Sequence, residues 1–335
     1  MKYDYEQTFT DWHAFLDHCE NAPCLIPEGK RASDSRSRDT SSGYGNLHAA
    51  TWPKACELAH NGWPEGKDKI NDLATSLFSF ISQYAGKPEP QYLTEGINLD
   101  VGRWHEGEPE HWLAMGESET VIVNGKTTAK IGVNLSASCG ISTETMTARG
   151  ACILALSRLL DYMGIRTQID VLVMIGVNYN YTGDRILCTV EVKHFNQDFD
   201  LDRLSYALAH SSMFRRHGFA WFETLPSKDL LQKYTVYPTS MYGYPSDPFP
   251  ETLATRGYDV YLGSAMWGDC QWNNPRAAQE WIVKELAKLG IVINLPPESK
   301  LETPKVESVP YVPKYVPYVP KYVPGKKRKR RARRY

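Results

Sequence analysis

Three oxygen-bearing side chains, Asn134, Ser136 and Ser138, alternate along NLSASCGIS (134–142), between an alternating apolar run and a helical one. Hard donors spaced this way, on a loop at the carboxyl end of a strand, are the ingredients of a site for Mg²⁺ or another divalent cation. The same small residues also suit a turn that lets the next helix start, with Ser142 as its cap. A second chemistry sits in RILCTVEVK (185–193), where Glu191 and Lys193 flank one valine and Asp184 or Asp170 lies upstream. Two carboxylates can hold Mg²⁺ while a lysine steadies an attacking water for phosphodiester cleavage. Glu-x-Lys also arises wherever alternating charges simply face solvent. The seven residues from Asp184 to Glu191 are a short spacing for such a core, so the expectation is of no catalytic residue, with Asp184, Glu191 and Lys193 as the nuclease alternative.

Two histidine clusters are weaker. His105 and His111 bracket Glu106, Glu108 and Glu110, but a Gly and a Pro make the segment a loop, and an exposed acidic turn accounts for it. His210 and His217 straddle Arg215 and Arg216 at the end of a helical pattern, where positive charge complements the helix dipole; an anion site is the sharper alternative. No GxGxxG, P-loop, GxSxG or paired-cysteine motif occurs. The seven cysteines are odd in number and several lie in apolar runs, so reduced buried thiols are expected rather than disulfides or zinc.

The densest charge lies elsewhere. Lys326, Lys327, Arg328, Lys329, Arg330, Arg331, Arg333 and Arg334 place eight basic residues within nine. Of 38 Lys and Arg, 12 follow residue 295 together with 3 of 39 Asp and Glu, so residues 1–295 keep 26 basic against 36 acidic side chains. The overall charge of −1 therefore hides an anionic body and a cationic tail. Before the tail, YVPKYVP occurs twice, at 311–317 and 318–324. Prolines at that density favour polyproline II, and at about 3.1 Å per residue the fourteen residues span roughly 43 Å. The basic run has nothing with which to pack and is expected to stay disordered. Charge of this kind engages phosphate backbones without sequence preference and with steep salt dependence.

The elements that must position these groups follow from pattern. Residues 1–125 read as helical and loop-rich, with TFTDWHAFLDHCE and WPKACELAHNGWPEG as amphipathic helices. From 126 to 296 strands alternate with helices: a strand at 129–135, a helix from Ser142 to Gly164, an apolar strand at 168–177, a strand at 185–193 and a helix from Asp200. FAWFE (219–223) and YDVYLG (258–263) read as further strands, a helix starts at Asn274-Pro275, and IVINL closes the sheet. The order predicts an α/β fold, a Rossmann-like three-layer sandwich around a mostly parallel sheet, then a spacer at 297–325 and a disordered tail at 326–335. No basic-then-apolar leader and no run of eighteen apolar residues occurs, so no membrane partner is expected.

The Asn134-x-Ser136-x-Ser138 loop resembles the first-strand loop of von Willebrand factor A (VWA) domains, where Asp-x-Ser-x-Ser holds a divalent metal. The resemblance implies a VWA-like core that binds a protein partner, with a degenerate metal site because Asn134 stands in place of aspartate. The Asp…Glu191-x-Lys193 pattern is loosely similar to restriction-endonuclease-like nucleases. More closely, WPKACELAHNGWPEG, VNLSASCGIS and FDLDRLSYALAHSSMFRRHGFAWFE resemble an uncharacterised family of bacteriophage-encoded proteins, over residues 45–225. That implies a setting in the bacterial host cytoplasm or the virion. The expectation is thus a non-enzymatic phage protein that uses its core for protein contacts and its tail for nucleic acid. The alternatives are the Mg²⁺-dependent nuclease and a virion component whose tail neutralises the packaged genome.

Overall fold

A computed structural model describes residues 2–27, 30–31, 51–82, 90–94, 98–99, 101–115, 127–178, 183–239, 241–266, 272, 274–291 and 293. The chain starts with a strand, Tyr5–Phe9 (β1), in the region expected to be helical. Tyr5, Gln7 and Phe9 face inward at the two-residue period that a strand requires. Helix Trp12–Asn21 (α1) follows, its first turn capped by the Asp11 carboxylate, which accepts from Ala14 N at 2.9 Å. Thr51 caps Trp52–Asn61 (α2), and Gly62, at φ 86°, ends it where only glycine is unstrained. Pro64–Ser82 (α3) begins directly afterwards. Strands Pro90–Leu93 (β2), Asn98–Leu99 (β3) and Trp112–Met115 (β4) form a small antiparallel sheet, with Val101–His105 (α4) between the last two. The run ETVIVNG (119–125), whose short apolar run suits a strand, lies outside the described residues.

The core carries Thr128–Asn134 (β5), Thr143–Tyr162 (α5), Arg166–Gly176 (β6), Arg185–Lys193 (β7) and Leu201–Ala209 (α6). Ser142 and Asp200 cap the two helices as their positions predict. A π-helical turn, Met213–Gly218, then runs into a short helix, Phe219–Glu223 (α7). The expected strand at 219–223 is thus a helix. Ala220, Trp221, Phe222 and Glu223 are all buried, and a short run buried on every side has no period to separate helix from strand. Lys228–Lys233 (α8), Tyr244–Pro245 (β8), Pro250–Arg256 (α9), Val260–Leu262 (β9) and Pro275–Lys288 (α10) complete the order. Ile291 and Ile293 of IVINL bury in the core but are not in a strand.

The central sheet is mixed and mostly parallel, in the order β1-β7-β6-β5-β9, with β8 paired to β6. β5 lies parallel to β6 and β9, and β1 parallel to β7, whereas β6 and β7 are antiparallel. The connection from Gly176 to Arg185 is too short for a helical crossover, so β7 must turn back.

One face of the sheet, through Ile131, Val133, Ile169, Val171, Val173, Ile186, Cys188 and Val190, joins a single large apolar cluster with α1, α2, α3, α5, α6, α7 and α10. α5 is buried on nearly all sides, as its weakly amphipathic sequence requires. The opposite face differs from the three-layer expectation. Leu172, Met174 and Leu187 pack there against Tyr3 and Phe249, with Tyr258 and Tyr261 beside them. The Tyr- and Pro-rich segment around α9 therefore covers this face where a helical layer was expected, and α9 itself has no buried side chain. Residues 294–335, with the spacer and the basic tail, lie outside the described residues.

Candidate functional site

Side chains from alternate positions of β5, β6 and β7 reach the face that the helices leave, and two polar groups form there. The first lies at the carboxyl end of β5. Asn134, Ser136 and Ser138 are all buried. The loop runs beside 264–265: Ser138 N donates to Ala265 O at 2.9 Å, and Ala265 N to Ser136 O at 2.8 Å. Asn134 Nδ2 donates to Ser246 O at 2.8 Å, Asp247 Oδ1 at 3.0 Å and Tyr261 Oη at 3.2 Å. Asp247 also accepts from Tyr261 Oη (2.8 Å), Ser264 N (2.7 Å) and Ser264 Oγ (3.1 Å).

The fit to a divalent cation can be judged from these donors. Asn134 turns its amide nitrogen to the carboxylate, and its Oδ1 accepts from Ser136 N at 3.0 Å. Ser136 Oγ accepts from Met174 N at 2.8 Å, and Ser138 Oγ points to Met266 Sδ at 3.9 Å. Positive charge is already present. Arg149, almost wholly buried, donates to Asn134 O at 3.2 Å and also to Gly263 O, and its guanidinium lies 5.5 Å from the Trp272 ring. Arg215 donates to Ser138 O at 3.2 Å and reaches Cys139 O and Ile141 O. Each of the three oxygens has a different partner, and guanidinium groups hold the loop's carbonyls, so these residues do not fit Mg²⁺.

The second group lies across the β6–β7 hairpin. Asp170 and Glu191 are register partners on adjacent strands. Asp170, buried, accepts from Gln168 Nε2 at 2.8 Å and Tyr258 Oη at 3.0 Å and pairs with Lys130 Nζ at 3.2 Å. Burial, and next the Asp170 charge among the opposing effects of His194 and Lys130, raises the Glu191 pKa. Asp184 is not part of this group. It pairs with Lys233 at 2.7 Å at the far end of β7, about 23 Å from Glu191 at strand rise. Lys193 is buried and donates to Thr167 O at 2.7 Å; burial lowers its pKa. Asp184, Glu191 and Lys193 therefore do not share one site, and the ion-pair partner of Asp170 is Lys130.

Other predicted positions also resolve. The acidic turn is exposed, with Arg103 bound to Glu108 at 2.9 Å. His210 is the C-cap of α6 and His217 lies in the π-helical turn, but both are buried rather than at the surface, and burial pushes His217 down to about 3. Asp247 and Arg149 were missed by sequence reasoning. Arg149 had a local signal, a cation inside the apolar helix TMTARGACILALSRLL, whereas Asp247 lies in a loop 113 residues from its partner Asn134.

The sequence of this domain is shared beyond the chain. A family model described as a domain of unknown function, DUF7192, matches residues 2–293. The chain belongs to the DUF7192 family. The match covers β1 through α10 and both polar groups, and it stops before the spacer and basic residues 326–334. No curated protein matches the chain, and no solved structure does. No helix among the described residues of this DUF7192 chain is long and apolar enough to cross a membrane.

Proposed function

We propose that the chain is a non-catalytic nucleic-acid-associated protein: the DUF7192 body contacts a protein partner, and residues 326–334 grip polyanions without reading sequence. The observation that carries it is charge segregation. Eight basic residues in nine follow two YVPKYVP repeats and a body with ten more acidic than basic side chains. Such a body repels phosphate, which leaves the cationic run as the part of the chain suited to bind it. The unit β5-α5-β6, a helix joining two parallel strands, supports a Rossmann-like, VWA-like core. The resemblance to phage proteins suggests that it works in an infected bacterial cytoplasm or in the virion.

The test compares the full chain with one lacking residues 309–335 for binding to duplex DNA and to RNA across a salt series. The full chain should lose affinity with a logarithmic slope of about −0.9 per duplex phosphate contact. The shortened chain should stay folded and bind neither nucleic acid. Undiminished binding by the shortened chain at low salt would sink the proposal.

A further inference from the structure

Three elements distant in sequence meet beneath α2. Glu20 lies on α1, Cys56 on α2, and His217 in the π-helical turn. One ligand-capable atom of each lies within 4.8 Å of the other two. His60, one helical turn after Cys56, binds Glu20 Oε1 through Nε2 at 2.7 Å. His217 is fully buried. Its Nδ1 is held by Tyr206 Oη at 2.9 Å, and its buried Nε2 has no hydrogen-bond partner among the described residues.

We propose that Cys56, His217 and Glu20 form a zinc site, with His60 positioning the Glu20 carboxylate and a water as the fourth ligand. One thiolate, one imidazole and one carboxylate are a borderline-soft donor set, which selects Zn²⁺ over Mg²⁺ or Ca²⁺. A ligating histidine has its other ring nitrogen fixed by a hydrogen bond, the part Tyr206 plays here. An orphaned imidazole nitrogen in a protein interior calls for a partner, and a metal supplies one. The π-helical turn, a form common at functional sites, places His217 against Phe15 of α1 and Trp52 of α2. Tetrahedral zinc with bonds of about 2.0–2.3 Å holds its ligand atoms roughly 3.3–3.8 Å apart, so the cluster must contract slightly. Glu20 and His60, each about a quarter exposed, have the freedom to do so and open the site to solvent.

Zinc forms its bond to the Cys56 sulfur as the thiol releases its proton to solvent. The ion would tie α1, α2 and the π-helical turn together, joining the amino-terminal helices to the core. The site is independent of the proposed nucleic-acid grip and would stand if that failed.

The test uses the full chain, stripped by chelator and titrated with Zn²⁺ against a competing indicator, and with Co²⁺ followed by absorption. One tightly held zinc per chain is expected, no competition from Mg²⁺, and a thiolate-to-cobalt charge-transfer band. Cys56→Ser should lose the band, and His60→Ala should weaken zinc about 10–100-fold. If Cys56→Ser does not fold by circular dichroism, Glu20→Gln decides, because its side chain is at the surface; it should also weaken zinc at least tenfold. A stripped wild-type chain that takes up no zinc overturns the proposal, as does an unchanged band in folded Cys56→Ser or unchanged affinity in Glu20→Gln.

Discussion

Asp170 and Glu191 stand opposite each other across the antiparallel β6–β7 pair, two carboxylates on the sheet face away from the helices. The pair is tolerable because its members are treated unequally. Asp170 holds Lys130, Gln168 and Tyr258, whereas the half-exposed Glu191 meets burial and a like charge. Replacing Asp170 by Ala strands a partly buried ammonium and two hydrogen-bond donors, and should cost about 3 kcal/mol in urea denaturation. Glu191→Gln should be neutral or stabilising.

The same pair sets a pH dependence. Glu191 has its folded pKa raised, so its contribution is fully present below the unfolded value of about 4.3 and is lost as pH rises through the folded value. The stability of Glu191→Gln relative to wild type should therefore grow from about pH 4 upward and then level off. A difference that stays constant with pH would show that Glu191 feels no unfavourable environment.

The close contact of α5 with α6 rests on Gly150. A Cβ built there would lie 2.5 Å from Ala209 Cβ and 3.0 Å from Leu208 O, neither of which can rotate away. Gly150→Ala gains about 1 kcal/mol of helix propensity but overpacks by about 2–3 kcal/mol, so a net loss of about 1–2 kcal/mol is expected. Adding Ala209→Gly should recover part of it, as a coupling energy in a double-mutant cycle.

At the start of the NLSASCG loop, Arg149 holds the backbone carbonyl of Asn134. Arg149→Met should destabilise by about 2–4 kcal/mol, because Asn134 O and Gly263 O lose their donor. Millimolar Mg²⁺ should raise the melting temperature of neither wild type nor variant. A Mg²⁺-dependent rise abolished by Asn134→Ala would restore the cation site.

Much of the frame is legible in the residues alone. Ser142, Asp200 and Asn274 cap helices, Gly164 and Gly290 stop them, and the period-two run 185–193 is a strand with the bounds its pattern implies. These features depend on φ, ψ and side-chain period within a few residues, so local sequence determines them. The charge separation of body and basic run is of the same kind. What only the tertiary structure decided depends on which distant segments meet. Phe219–Glu223 is helical although its apolar run has no period that separates helix from strand, and the second sheet face is covered by the segment bearing Phe249 and Tyr258. Asp247 reaches Asn134, and Glu20, Cys56 and His217 converge, only once strand order and the π-helical turn are set. No local pattern carries those contacts, because packing between segments a hundred residues apart is chosen by the whole core.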